Sequence, residues 1–288
     1  MVQVSLACQP SPDRLADGSA NEDFAFATPD LAAVLDGVTV LPGVETGCAH
    51  GPAWHARRLG GHLAAGHTED PARPLVELLA GAIRSVCDDH GATCDLDHPH
   101  TPQSTVCLLR VTEGAAASRA ATSRADYLVL SDSSLVFDRA GRIEVVTDLR
   151  HLRHGPDARI RDRARRLQAL IDKRTRANRP NGYWIAAADP EAARHAVTGA
   201  VPLAGPGRLV RAALLTDGAS CAVDPYHLMG WQGLLDTVRD AGPHHLISLV
   251  RRAEHADPNG ERLPRHKRHD DASVIYCELA GRSPSTDR

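Results

Sequence analysis

Leu31-Ala32-Ala33-Val34-Leu35-Asp36-Gly37 is a run of five apolar residues closed by an acid and a glycine. Such a run, with turn chemistry directly behind it, reads as a buried β-strand. The same design returns at Ala212-Ala213-Leu214-Leu215-Thr216-Asp217-Gly218. Asp132 follows Tyr127-Leu128-Val129-Leu130-Ser131, and Asp270-Asp271 immediately precedes Ala272-Ser273-Val274-Ile275-Tyr276. Near the start, Asn21-Glu22-Asp23 leads into Phe24-Ala25-Phe26. Taken singly, Asp-Gly is ordinary hairpin chemistry, and Asp17-Gly18 reads that way. The recurrence carries more, because an acid stands at the edge of several strands built from apolar residues. If those edges converge, the carboxylates cannot all stay ionised without protonation or a cation. All-oxygen ligation suits hard cations such as Mg²⁺ and Mn²⁺. The glycine after an aspartate would let a backbone carbonyl approach the ion as well. Two ions sharing one carboxylate is the logic of a two-metal hydrolase.

Outward from these motifs, Thr105–Val111, Leu135–Phe137, Ile143–Val146 and Ser273–Leu279 also read as strands. The stretch from Tyr127 to Thr147 reads as a meander, with Asp138-Arg139-Ala140-Gly141 as a turn. Helical spacing appears at Leu75, Leu79, Ile83 and Val86, and again at Leu246, Ile247, Val250 and Ala253. Further helices are expected from about Pro52 to Ala65, across the Arg-rich stretch Ile160–Arg179, and starting at Asp189-Pro190. Helices fall in adjacent pairs between blocks of strands, which suggests an α+β assembly of antiparallel sheets flanked by helices. Glu113–Arg124, Thr198–Gly207 and Asp257–His269 read as loops within one domain spanning 1–280, and 281–288 as a frayed tail.

Composition narrows the function classes. The 288 residues carry 36 acidic and 33 basic side chains, a net charge of −3, which argues against a general nucleic-acid binder. No run is apolar enough to span a membrane and no secretory leader is visible, so the expected location is cytoplasmic. The seven cysteines form no CxxC pair, so neither a disulfide framework nor a zinc knuckle is indicated. Cys107 and Cys277 sit in apolar runs as small hydrophobes. The sixteen histidines include His151-x-x-His154, His62 with His67, and His244-His245, none in a recognised zinc framework. The nucleophile elbow of a Ser/His/Asp hydrolase and the phosphate-binding P-loop are both absent from the sequence.

In order, Asn21-Glu22-Asp23, Leu35-Asp36-Gly37, Gln103-Ser104-Thr105, Ser131-Asp132-Ser133, Leu215-Thr216-Asp217-Gly218 and Asp270-Asp271-Ala272-Ser273-Val274 resemble the successive signatures of the metal-dependent (type-2C, PPM) serine/threonine phosphatases. The resemblance runs from about residue 21 to 279 and implies a four-layer α-β-β-α sandwich. It implies that Asp36 bridges two Mn²⁺ or Mg²⁺ ions, with the Gly37 carbonyl on one, and that Asp217 and Asp270 complete the pair. Glu22 would hold a metal-bound water with Asp23 supporting it, and Asp132 matches a third, weaker metal position. A metal-activated water would attack the phosphorus of a phosphoserine or phosphothreonine in a protein substrate, without a phosphoenzyme.

The sequence departs from that pattern at identifiable places. The glycine-rich turn becomes Asp36-Gly37-Val38-Thr39-Val40, and Val38 stands where some members have histidine. The phosphate-binding arginine, four residues before the glutamate, is Gly18; Arg14, Arg57 and Arg58 are possible substitutes. Cys221 replaces a third-metal aspartate. A phosphatase-fold binding or regulatory module with little turnover is the alternative expectation.

Overall fold

The computed structural model describes residues 2–113, 123–155, 160, 162–263, 265 and 267–279. One five-stranded antiparallel sheet holds β2 (Asp23–Ala27), β3 (Leu31–Gly37), β4 (Ser104–Thr112), β5 (Arg124–Leu130) and β8 (Val197–Pro202), in that order. The other runs β1 (Val2–Gln9), β10 (Ala272–Leu279), β9 (Leu209–Leu215), β6 (Ser134–Arg139) and β7 (Arg142–Val146). Strand alternation sorts side chains onto two faces and so builds three apolar layers. Val34, Cys107, Val129, Leu135, Leu214 and Ile275 fill the space between the sheets.

Leu35, Leu108 and Leu128 point the other way, onto α2 (Pro52–Glu69) and α3 (Leu75–His90). The second sheet sends Val136, Ala213 and Val274 onto α6 (Trp231–Ala241) and α7 (Pro243–His255). The result is the expected α-β-β-α sandwich with one helix pair on each outer face. Gly60 of α2 makes one of these contacts possible: a Cβ there would lie 2.4 Å from the Phe24 ring.

Four local readings change. Val197–Pro202, expected to be loop, is the edge strand β8, paired with β5 from Val129↔Val197 to Arg124↔Pro202. Its glycine accommodates the Tyr127 ring, since a Cβ at Gly199 would lie 2.3 Å from the tyrosine hydroxyl, and its proline closes the strand. Tyr127–Thr147 is not a continuous meander. The β6–β7 hairpin forms around Ala140 and Gly141, both at positive φ, but β5 lies in the other sheet. The chain changes sheets at Ser131-Asp132-Ser133. The Arg-rich helix is shorter than expected: α4 covers Arg163–Arg174, because the Asp162 carboxylate caps the Arg165 amide at 2.7 Å. Asp17-Gly18 ends a short helix, α1 (Pro12–Asp17), with Gly18 in the left-handed cap. The 281–288 tail and most of the Glu113–Arg124 loop lie outside the described residues. Among the described residues, no helix is long and apolar enough to cross a membrane.

Candidate functional site

The acid-bearing strand ends meet at one edge of the sandwich. Asp36, near the end of β3, stands directly opposite Asp23 at the start of β2, and Thr105 of β4 is its other neighbour. Like charges directly across a strand pair repel, so this register is costly unless a cation or proton intervenes. Thr105 Oγ1 lies 2.6 Å from Ser133 Oγ, which brings the sheet-switching segment and Asp132 to the same edge. From the second sheet, Asp217 follows β9 and Asp270 precedes β10. Thr216 joins the two sheets here: its hydroxyl donates to Asp23 Oδ2 at 2.8 Å and accepts from the Ser273 amide at 2.9 Å.

Neither Asp-Gly pair of the site is a hairpin turn. Gly37 donates its amide to the Glu22 carbonyl at 3.0 Å, and a Cβ there would fall within 2.9 Å of Glu22 and Pro52 backbone oxygens. Gly218 lies in the short helix α5 (Asp217–Ser220), where a Cβ would fall 1.9 Å from the Asp271 carbonyl. Both glycines therefore serve close backbone approach rather than positive φ.

Burial grades across the site. Glu22, Asp23 and Asp271 are buried, Asp36, Asp132 and Asp270 half-buried, and Asp217 reaches solvent. Desolvation in the groove, reinforced by the charges of Asp270 and Asp132, pushes Asp217 up to about 7. Desolvation, and then the neighbouring Asp217 and Asp23, hold Asp36 well above the usual carboxylate range. Burial raises Glu22 and Asp23 in the same direction. Asp23 Oδ1 has no hydrogen-bond partner although it is buried. An oxygen-only donor set with mutually raised carboxylates and an orphaned oxygen fits a divalent cation such as Mg²⁺ or Mn²⁺.

Basic side chains also reach the cluster, and the sequence alone did not place Lys267, Arg14 or Lys173 there. Lys267 Nζ sits 2.7 Å from Asp270 Oδ1 and is drawn electrostatically to Asp36 and Asp217 as well. Arg14, on α1, pairs with Glu22, contacts Asp271 Oδ2 at 2.9 Å and donates to Thr39 Oγ1 at 3.3 Å. Lys173, at the end of α4, feels Asp132 and Asp217, and burial lowers it from the usual lysine value. Arg57 and Arg58 are not among them; Arg58 pairs with Asp89 on α3.

Asp271 is a further residue the sequence reading left without a role. One oxygen accepts from the Ser11 amide and the other from the Glu22 amide, each at 2.7 Å. It thus locks the strand β10 entrance to the Glu22 segment. Asp132 pairs with His151 at 3.1 Å, while His62 and His67 pair with Asp89 and Asp30. Cys221, where the resemblance leads one to expect an aspartate, donates its thiol to the Gly218 carbonyl at 3.3 Å, and burial raises its pKa.

Solved structures of serine/threonine phosphatases share this shape. A PPM Ser-Thr phosphatase, MsPP from Mycobacterium smegmatis in complex with cacodylate, aligns over 96% of this chain and 98% of its own, at 20% identity and a TM-score of 0.57. The catalytic domain of the serine threonine protein phosphatase PstP, in complex with two manganese ions, aligns over 96% and 97% at 17% identity and a TM-score of 0.55. Serine/threonine phosphatase Stp1 from Staphylococcus aureus aligns over 98% and 96% at 12% identity and a TM-score of 0.57. No protein-family model matches the sequence, and no curated protein matches it. At these identities the likeness establishes a shared fold, that of the PPM Ser/Thr phosphatases.

Proposed function

We propose that this chain is a Mn²⁺- or Mg²⁺-dependent phosphatase that hydrolyses phosphoserine and phosphothreonine in protein substrates. The observation that carries the reading is the meeting of Asp36, Asp217 and Asp270 at one solvent-reaching edge, with Asp23 and Glu22 behind them. Asp36, Asp217, Asp270 and the Gly37 carbonyl would hold two ions, with Asp132 as a weaker further ligand. Bound there, the ions would supply the positive charge and Lewis acidity that phosphoester hydrolysis needs.

The chain's own groups do the rest. Glu22, raised by burial and held by Thr39 and Arg14, is positioned to orient a water for attack and to accept hydrogen bonds from it. Asp23 fixes Thr216, and Thr216 fixes the turn that presents Asp217. Arg14 takes the place that Gly18 leaves empty: its guanidinium, partly exposed beside Glu22, suits a phosphate's paired oxygens. Lys173, which interacts with Asp132 and Asp217, offers a further positive charge.

One observation favours the alternative of a binding or regulatory module with little turnover. Lys267 already supplies a cation to these carboxylates, so the site is partly neutralised without metal. Phosphate release from a phosphothreonine peptide and from an aryl phosphate, each with Mn²⁺, Mg²⁺ or chelator, separates the readings. Metal-dependent release supports the phosphatase. Metal binding without turnover on either substrate supports the module, and turnover indifferent to metal contradicts both.

A further inference from the structure

The loop leaving β3 and the segment entering β4 bring three soft donors together. Cys48, His50 and Cys94 place their ligand atoms within 4.8 Å of one another, the only such trio of His, Cys, Asp or Glu among the described residues. Cys48 and His50 precede α2, and Cys94 follows α3, 46 residues later. No CxxC spacing announces the group, which is why the sequence left it unread. We propose that Cys48, His50 and Cys94 bind one Zn²⁺ ion, with water completing a tetrahedron, and that the ion staples these two loops together.

The geometry suits that ion. Tetrahedral zinc, with bonds of about 2.3 Å to sulfur and about 2.0 Å to nitrogen, sets nitrogen–sulfur edges of roughly 3.5 Å and sulfur–sulfur edges of roughly 3.8 Å. His50 Nδ1 lies 3.6 Å from Cys48 Sγ and 3.5 Å from Cys94 Sγ. The sulfurs are 3.1 Å apart, so they part by roughly 0.7 Å to seat the ion. All three residues are partly exposed, which leaves room for that movement and for the water.

The surroundings prepare the donors. The His50 amide donates to Cys48 Sγ at 3.3 Å and the Ala49 amide donates to Cys94, which orients both sulfurs toward the gap between them. Trp54 stacks on the His50 ring at 3.9 Å between centroids, and His90 meets that ring edge-on at 5.1 Å. These contacts fix the imidazole plane with Nδ1 toward the sulfurs, so the ring proton belongs on Nε2. Two thiolates and an imidazole select zinc over the hard cations suited to the acid edge. The backbones are already joined beside the trio, where the Asp95 amide donates to the Gly47 carbonyl at 2.7 Å.

The test is metal analysis of the full chain, purified with a thiol reductant and no chelator from zinc-supplemented cells. One zinc per chain is expected, retained in Asp36→Ala and lost in the double variant Cys48→Ser, Cys94→Ser. Cobalt titrated into stripped wild-type protein should give a thiolate-to-metal charge-transfer band and tetrahedral d–d bands, a readout that holds even if the double variant does not fold. Wild-type protein that binds neither metal, zinc content unchanged in a folded double variant, or a Cys48–Cys94 disulfide under these reducing conditions would each overturn the proposal.

Discussion

Lys267 places its ammonium 2.7 Å from Oδ1 of Asp270, so the carboxylate edge carries a cation of its own chain. A positive charge at this range opposes the arrival of a second one. Lys267→Met should therefore lower the Mn²⁺ concentration at half-saturation by about tenfold or more. Isothermal titration of both proteins measures it. Unchanged or weaker binding in the variant would show that the ammonium does not compete with metal.

Desolvation and the charges of Asp270 and Asp132 raise Asp217 more than Lys267 and its hydrogen bond with Asp36 lower it. Removing its charge relieves repulsion in the metal-free protein. Asp217→Asn should raise the melting temperature in chelator slightly, because solvent screens the repulsion at a site that reaches water. The same variant should lose metal-dependent turnover. A lower melting temperature in chelator would mean that the carboxylate is structural.

Arg14 is given two tasks, bracing Glu22 with Asp271 and receiving phosphate. Arg14→Ala should reduce kcat/KM on a phosphothreonine peptide by about 10- to 100-fold, the range for a lost hydrogen bond to a charged group. Arg14→Lys should recover part of KM, because it keeps charge but loses the paired donors. Equal losses in both variants, confined to kcat with KM unchanged, would leave only the bracing role.

His55, 1% exposed on the buried face of α2 and 3.4 Å from Ser104 Oγ, is pushed by burial from 6.5 down to about 3. The folded protein keeps it neutral over a range where the unfolded chain takes up a proton. Stability from this residue is present above the unfolded value of 6.5 and is lost progressively as pH falls toward about 3. Urea melts across that window should show a shallower acid slope for His55→Gln than for wild type. Parallel curves would contradict the assignment.

Much of the fold was written locally. The seven strands that are visible as apolar runs need only their own residues to be recognised, and all seven form. The helix pairs followed from their stripes. Of the other three, β2 was marked only by Phe24-Ala25-Phe26 behind its acids, and β1 and β8 escaped because these two edge strands bury little. Val4 and Leu6 of β1 stay 36% exposed, and β8 carries a glycine that exists for Tyr127. At the site, Asp36 and Asp217 declared themselves by closing apolar strands. Arg14 and Asp271 did not, because their partnership spans most of the chain and depends on how α1 folds back over β10. Lys267 and the Cys48–His50–Cys94 trio were hidden for the same reason: proximity made by loops leaves no period in the sequence.

The central claim is that Asp36, Asp217 and Asp270 hold divalent metal for phosphoester hydrolysis. Its most direct test is the initial rate of phosphate release from a phosphothreonine peptide as Mn²⁺ is titrated into chelator-treated protein, for wild type beside Asp36→Ala. The rate should rise saturably with Mn²⁺ in wild type and stay at background in Asp36→Ala. A wild-type rate in Asp36→Ala, or a wild-type rate that ignores Mn²⁺, would contradict it.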